Sequence, residues 1–197
     1  MDRTNSIKYK IQLVLAVYCC IVAMGTVILY PTEQYPFYMT FLSFWMLTMY
    51  MCLYYTLPNK VKDVMYGFLL MIHIIVPLAY WILLNGLNED NRPESIVWNY
   101  FIHGSDFVVI FIHFFLFKNP YPLTSVLWNL IIMIIYIFWA FIGYGITGKF
   151  VYPFLSFQNE MAKYLYPGIF IGSMVISLAW FKIHQFKNKK TTKRTVV

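Results

Sequence analysis

Ser95, Asn99, His103, Asp106 and His113 follow one another at spacings of 4, 4, 3 and 7 residues, which places them on one stripe of an α-helix. His103 and Asp106 lie one turn apart, so they can share a proton or a hydrogen bond, and the carboxylate can orient the imidazole. Such a pair suits general acid–base chemistry or a proton relay. The competing reading is a satisfied polar interface between helices. Upstream, Thr40, Ser43 and Thr48 supply hydroxyls, and the first two share a helix face. A hydroxyl in an apolar helix most often bonds back to the carbonyl a turn earlier or joins two helices. It becomes a nucleophile when a base takes its proton. His73 and His113 are a further pair that could ligate a haem. At 1.5 Å per residue they differ by about 7 Å in depth, which strains an axial pair. No cofactor and no metal is expected.

These residues sit in an unusual medium. Of the 197 residues, 60% are hydrophobic, 21% aromatic and 12% charged, whereas soluble domains carry about 45–50% apolar and about 25% charged residues. That excludes a soluble multidomain enzyme and a disordered tail. Six apolar runs of membrane-crossing length extend over about 11–29, 37–57, 64–84, 96–117, 123–143 and 164–181. No alternating barrel-strand pattern is present, and backbone groups in lipid must be satisfied internally. The expected fold is all-α: a polytopic membrane protein, a single domain forming a six-transmembrane-helix bundle. Twelve of the fifteen Lys and Arg residues fall on one side of it, and only Arg92, Lys149 and Lys163 fall opposite. The excess of positive charge on cytoplasmic loops then places both termini in the cytoplasm, with 182–197 as a basic cytoplasmic tail. The net charge of +7 is a topology signal; the tail is compatible with anionic lipid and too short for a nucleic-acid surface. The first span reads as a retained signal-anchor. Cys19, Cys20 and Cys52 all lie inside spans and suggest no disulfide or zinc framework.

Turn residues mark the helix ends: Pro31 and Pro36, Pro58 with Asn59, Asn85-Gly86 through Pro93, and Asn119-Pro120 with Pro122. Pro77 and Pro167 are expected to kink or open their helices. The connection from Ile146 to Glu160 is long and rich in Phe, Val, Tyr and Leu. It suits an interfacial segment with aromatics at headgroup level, or a lid closing a pocket from the outer face. By helix rise, Thr40 lies about 5 Å and His103 about 12 Å below that face, a gap that tilt and side-chain reach can close.

The stretch Tyr136-Ile-Phe-Trp139, followed by Thr147-Gly148-Lys-Phe-Val151-Tyr152-Pro153-Phe-Leu155, resembles a signature of the androgen-induced gene 1 and androgen-dependent TFPI-regulating protein family of multi-span membrane hydrolases. Tyr38-Met-Thr40-Phe-Leu is similar to the segment carrying that family's nucleophilic threonine, and Asn99-x-x-x-His103 to the one carrying its histidine. Gly104 and His113 depart from the family's usual Thr and acidic residue, and Asp106 is not part of its pattern. The resemblance implies Thr40 as nucleophile and His103 as base in a threonine-type carboxylic ester hydrolase. Its implied substrates are fatty acid esters of hydroxy fatty acids, drawn as lipid from the bilayer. Asn99, Ser43 and Tyr152 are expected supporting residues by polarity and depth, and Asp106 as orienter of His103.

Two other classes compete. An Asp and several His inside a bundle also suit a small transporter or proton-coupled channel, although paired broken helices and inverted repeats are not visible. A non-catalytic membrane scaffold is the third; Thr195-Val-Val197 has the hydroxyl-x-apolar ending that PDZ domains bind by strand addition. Residence in the endoplasmic reticulum or the plasma membrane fits equally.

Overall fold

The structure, a computed structural model, describes residues 3–29, 35–84, 100–117, 119–152 and 155–194. Among these residues the regular elements are all helical. Helix α1 is Arg3–Leu29 and α2 is Met39–Leu53, the latter preceded by a 3₁₀ turn at Tyr35–Phe37. Helix α3, Asn59–Ala79, runs on into a π-turn at Tyr80–Leu84. A second π-turn, Phe101–Ser105, leads into α4, Asp106–Leu116. Helices α5, Thr124–Thr147, and α6, Ala162–Arg194, complete the set.

Among the described residues, four stretches are long and apolar enough to cross a membrane: Asn5–Ile28, Asn59–Ile82, Thr124–Thr147 and Ala162–Lys187. Helix α2 and the Phe101–Leu116 segment are apolar but shorter. The 15 residues of α2 rise about 22 Å, short of about 30 Å of hydrocarbon. Several expected limits move. The second run stops at Leu53, because Tyr54-Tyr55-Thr56 turns ahead of Pro58. The expected separate tail is, as far as Arg194, the continuation of α6, where Lys and Gln favour helix and neither Gly nor Pro stops it. Both α3 and α6 continue through their internal prolines. The irregularity appears beyond Pro77, as the π-turn that begins three residues later.

Helix α3 is the axis of the bundle. Every residue from Tyr66 to His73 is buried, the pattern of a helix surrounded on all sides, and it packs against α2, α4, α5 and α6. Helix α1 packs chiefly on α2. Polar side chains join those two: the Gln12 amide donates to the Met51 carbonyl at 2.8 Å, and the Thr48 hydroxyl reaches the Cys19 carbonyl at 3.4 Å. Such contacts hold helices together where lipid removes the hydrophobic drive between them.

One end of the bundle collects basic groups. Lys62 Nζ lies 4.7 Å from the Tyr54 ring centre. Lys187 donates to the Phe114 carbonyl and covers the Phe114 ring, so a cation meets the carbonyl end of α4. The Tyr54 hydroxyl donates to Asn119 Oδ1 at 2.8 Å, and Tyr9 packs on Tyr55. Contacts therefore bring the two sides of the α2–α3 connection together with one another, and tie them to the start of α1 and of the α4–α5 connection, while the late part of α6 meets the end of α4.

The sequence offered no disulfide framework, yet the α1–α2 packing brings Cys20 Sγ within 3.6 Å of Cys52 Sγ, both as free thiols. A bond requires about 2.05 Å, a short further approach. Copper-phenanthroline oxidation in detergent, followed by non-reducing peptide mapping, should give a Cys20–Cys52 bridge and leave buried Cys19 free. A bridge through Cys19, or none, contradicts this helix pairing.

Candidate active site

The first turn of α2 carries Thr40 and is held from α5 and the segment that follows it. Helix N-termini leave their first N–H groups without intrahelical partners, and the residue preceding α2, Tyr38, offers no side-chain cap. Tyr136 of α5 supplies one from a distance. Its hydroxyl accepts from the Met39 N–H at 3.2 Å and donates to the Phe37 carbonyl at 3.1 Å. Trp139, one turn further along α5, donates its indole N–H to the Pro36 carbonyl at 2.9 Å. Gly143, a further turn on, lets Phe37 lie directly against α5: a Cβ there would stand 2.6 Å from Phe37 Cγ. Helix α5 then ends on Gly148, at φ 70° in the left-handed region that favours glycine. This turns the chain back so that the Tyr152 hydroxyl comes to 3.5 Å from Thr40 Oγ1. The Tyr–Trp–Thr-Gly–Tyr spacing of the signature is thus, physically, a clamp on the start of α2.

His103 arrives from the opposite wall. It occupies the middle of the Phe101–Ser105 π-turn, and its ring stacks on Tyr80, the first residue of the other π-turn, with centres 3.7 Å apart and planes at 9°. One residue of each π-turn thus meets the other ring to ring, and single π-turns cluster at functional sites. His103 Nδ1 is buried without a hydrogen-bond partner among the described residues.

Thr40, His103 and Tyr152 line one cavity of about 580 Å³, measured to include its open mouth. Its walls are otherwise mainly apolar, including Ile72 and Val76 of α3, Met133 of α5 and Leu155. Thr40 is 7% exposed, lines the cavity and has its hydroxyl beside that of Tyr152. The Ile146–Glu160 connection contributes both to the cavity and to the outer surface. Tyr152 and Leu155 form wall, while Phe157 is exposed and stacks with Phe141 and Tyr166. Pro153 and Phe154 lie outside the described residues.

The other expected site residues are dispersed. The polar stripe does not stay on one line, because the π-turn between His103 and Asp106 widens the helix and shifts the register. Asp106 is fully buried against α3: Oδ2 lies 3.8 Å from His73 Nε2, and Oδ1 accepts from the Phe107 N–H at 2.7 Å. The expected His103–Asp106 contact is thus replaced by a His73–Asp106 pair, both residues at 0% exposure. Ser43 is buried, donates to the Thr40 carbonyl at 3.0 Å and does not line the cavity. His113 sits among Tyr50, Tyr54 and Phe117 at the basic end, with Nδ1 3.4 Å from the Asn119 amide. Ser95 and Asn99 lie outside the described residues. Among the described residues no group of His, Cys, Asp or Glu side chains is placed to hold a metal ion. Tyr80 and Tyr136 also line the cavity; from the sequence Tyr136 reads only as part of the Tyr136–Leu155 stretch and not as a site residue, and Tyr80 carries no signal beyond being an aromatic near the end of its apolar run.

Such a site offers a hydroxyl at a helix N-terminus, an imidazole with one nitrogen lacking a partner among the described residues, and a phenol from the α5–α6 connection beside the hydroxyl. That set can move a proton and stabilise developing negative charge in an apolar space. Compared with protein-family models, curated proteins and solved structures, the chain matches none.

The clamp gives a direct prediction. Tyr136→Phe keeps the ring and removes the hydroxyl that serves both Met39 and Phe37, leaving two backbone groups unpaired. The expected loss is about 1–3 kcal/mol for each group that stays unsatisfied, read as a lower apparent unfolding temperature in detergent than for Tyr144→Phe, whose ring is exposed.

Proposed function

We propose that this chain is a six-span intramembrane ester hydrolase with Thr40 as nucleophile and His103 as base. The observation that carries the reading is that these two residues, from distant segments, line one apolar cavity. His103 takes the Thr40 hydroxyl proton as Oγ1 attacks the ester carbonyl. The tetrahedral intermediate expels the alcohol, which receives that proton, and an acyl-threonine remains. Water, deprotonated by His103, attacks the acyl-threonine; the acid leaves and the proton returns to Thr40.

The oxyanion is served by Tyr152, whose hydroxyl oxygen lies 3.5 Å from Thr40 Oγ1, and by the positive end of the α2 dipole. Tyr80 acts as a positioning residue by stacking on the imidazole. Substrates are long-chain esters taken from the bilayer, with fatty acid esters of hydroxy fatty acids as the class implied by the resemblance at Thr40, His103 and the Tyr136–Leu155 stretch. The mainly apolar lining fits such a substrate. Membrane lipids surround the rest, in the endoplasmic reticulum or the plasma membrane, and the Thr195–Val197 ending, outside the described residues, offers a PDZ-type contact.

A small proton-coupled transporter is the second reading, favoured by one observation, the fully buried His73–Asp106 pair. Ionisable groups at such depth mark relays as well as active sites. The hydrolase reading leads because that pair does not line the cavity.

Thr40→Ala and His103→Ala should each lower hydrolysis of a long-chain fatty acid ester of a hydroxy fatty acid by about 10²–10⁴-fold, with Thr40→Ser retaining part of it. Product release is followed by mass spectrometry on purified protein. Wild-type turnover in well-folded Thr40→Ala excludes the assignment, and proton-linked flux in vesicles without ester cleavage transfers the case to the transporter. For the orientation, glycosylation acceptor sites added at either terminus should stay unmodified, and one inserted between α5 and α6 should be modified. The opposite pattern inverts the topology.

A further inference from the structure

A second space lies beside the Thr40 cavity. It is a groove of about 680 Å³, measured to include its open side, between α2 and α5 over the face of α3. Leu42 and Met46 of α2, Phe68 of α3, and Ile132 and Ile135 of α5 form most of its surface, and no lining residue carries a charge. Ile135 is 60% exposed, so the groove opens outward from a helix that is long and apolar enough to cross the membrane. Hydrocarbon is what meets that face.

Cavity and groove share two lining residues, Met39 and Tyr136. These form a divider of unequal parts. Tyr136 is fixed by two hydrogen bonds to the start of α2. Met39 is fixed by its backbone, while its side chain is an unbranched thioether with three rotatable bonds that adapts to what lies beside it. Met39 immediately precedes Thr40. An ester carbonyl at Thr40 carries two substituents that point apart, so one arm can lie in the cavity while the other needs a second apolar space beside Met39, which is where the groove lies.

We infer that the α2–α5 groove is an acyl-chain compartment, through which one arm of the ester held at Thr40 extends to the bilayer, with the Met39 side chain as its movable divider. This rests on the hydrolase reading for the identity of the ester. The groove's occupancy by a hydrocarbon chain does not depend on turnover.

The experiment has two arms. In the first, a long-chain fatty acid ester with a diazirine at the acyl terminus is photolysed with detergent-solubilised wild type and Thr40→Ala, and adducts are mapped by mass spectrometry. The compartment requires adducts concentrated on the α2 and α5 segments around Leu42 and Ile132 in both proteins, and reduced about tenfold by Leu42→Trp or Ile132→Trp, which fill the groove. Adducts spread evenly over the outer surfaces of α1, α5 and α6 mean ordinary surrounding lipid and overturn the compartment. In the second arm, the ratio of kcat/KM for the long-chain ester to that for p-nitrophenyl acetate is compared among wild type, Leu42→Trp and Ile132→Trp. A fall of about tenfold in the ratio is expected, the scale on which a filled apolar pocket discriminates. An unchanged ratio with both rates lowered means only a disturbed fold and overturns it. Concentrated groove adducts without hydrolysis of either ester by wild type keep the compartment and reject the hydrolase.

Discussion

Everything at the site depends on how the start of α2 is held. A helix that begins inside an apolar bundle presents backbone N–H groups with no water to satisfy them, and in a membrane each such group is costly. Here the answer comes from about a hundred residues away. Tyr136 takes the Met39 N–H, Trp139 takes the Pro36 carbonyl, and Tyr152 meets the Thr40 hydroxyl. One requirement, to satisfy a helix terminus, thus places a hydroxyl at the positive end of a helix dipole with a phenol beside it. The contacts that satisfy the terminus are also the ones that place the Thr40 hydroxyl.

The opposite wall depends on irregular helix. Helix α3 is buried around its whole circumference over two turns and gives the bundle its axis; beyond Pro77 it loosens into a π-turn whose first residue, Tyr80, lies flat on His103. The segment carrying His103 is a π-turn too, and at its downstream end Asp106 is buried beside His73 of α3, 3.8 Å apart. The imidazole is therefore set by a widened turn between fixed points. Cavity and groove share their divider at Met39 and Tyr136, so the contact that steadies α2 also bounds the space in which a chain can lie.

Much of this was legible in the residues. Apolar runs mark each of the six helices among the described residues; four of these are long enough to cross a membrane, while α2 and the Phe101–Leu116 segment are, among those residues, shorter than their runs. Thr40, His103 and Tyr152, candidates from residue type and resemblance, line one cavity. What escaped was whatever depends on departures from a straight helix or on pairing across the bundle. A 3.6-residue period put His103 and Asp106 on one stripe; the π-turn between them sends Asp106 to His73. Ser43 shares a face with Thr40 by spacing, yet its proton goes to the Thr40 carbonyl. The closeness of Cys20 and Cys52, and the hold of Tyr136 on Met39, are facts about neighbours far apart in the chain, and no local pattern encodes them. The end of α2 moved because three residues ahead of Pro58 form a turn that apolarity alone does not reveal.

The most direct test of the account is where an electrophile lands. Detergent-solubilised protein is treated with a long-chain fluorophosphonate, and the modified residue is located by peptide mass spectrometry. The account predicts one adduct, on Thr40, lost in His103→Ala and reduced by competing long-chain ester. Modification at Ser43 or elsewhere with Thr40 untouched, while the ester is still hydrolysed, would contradict it.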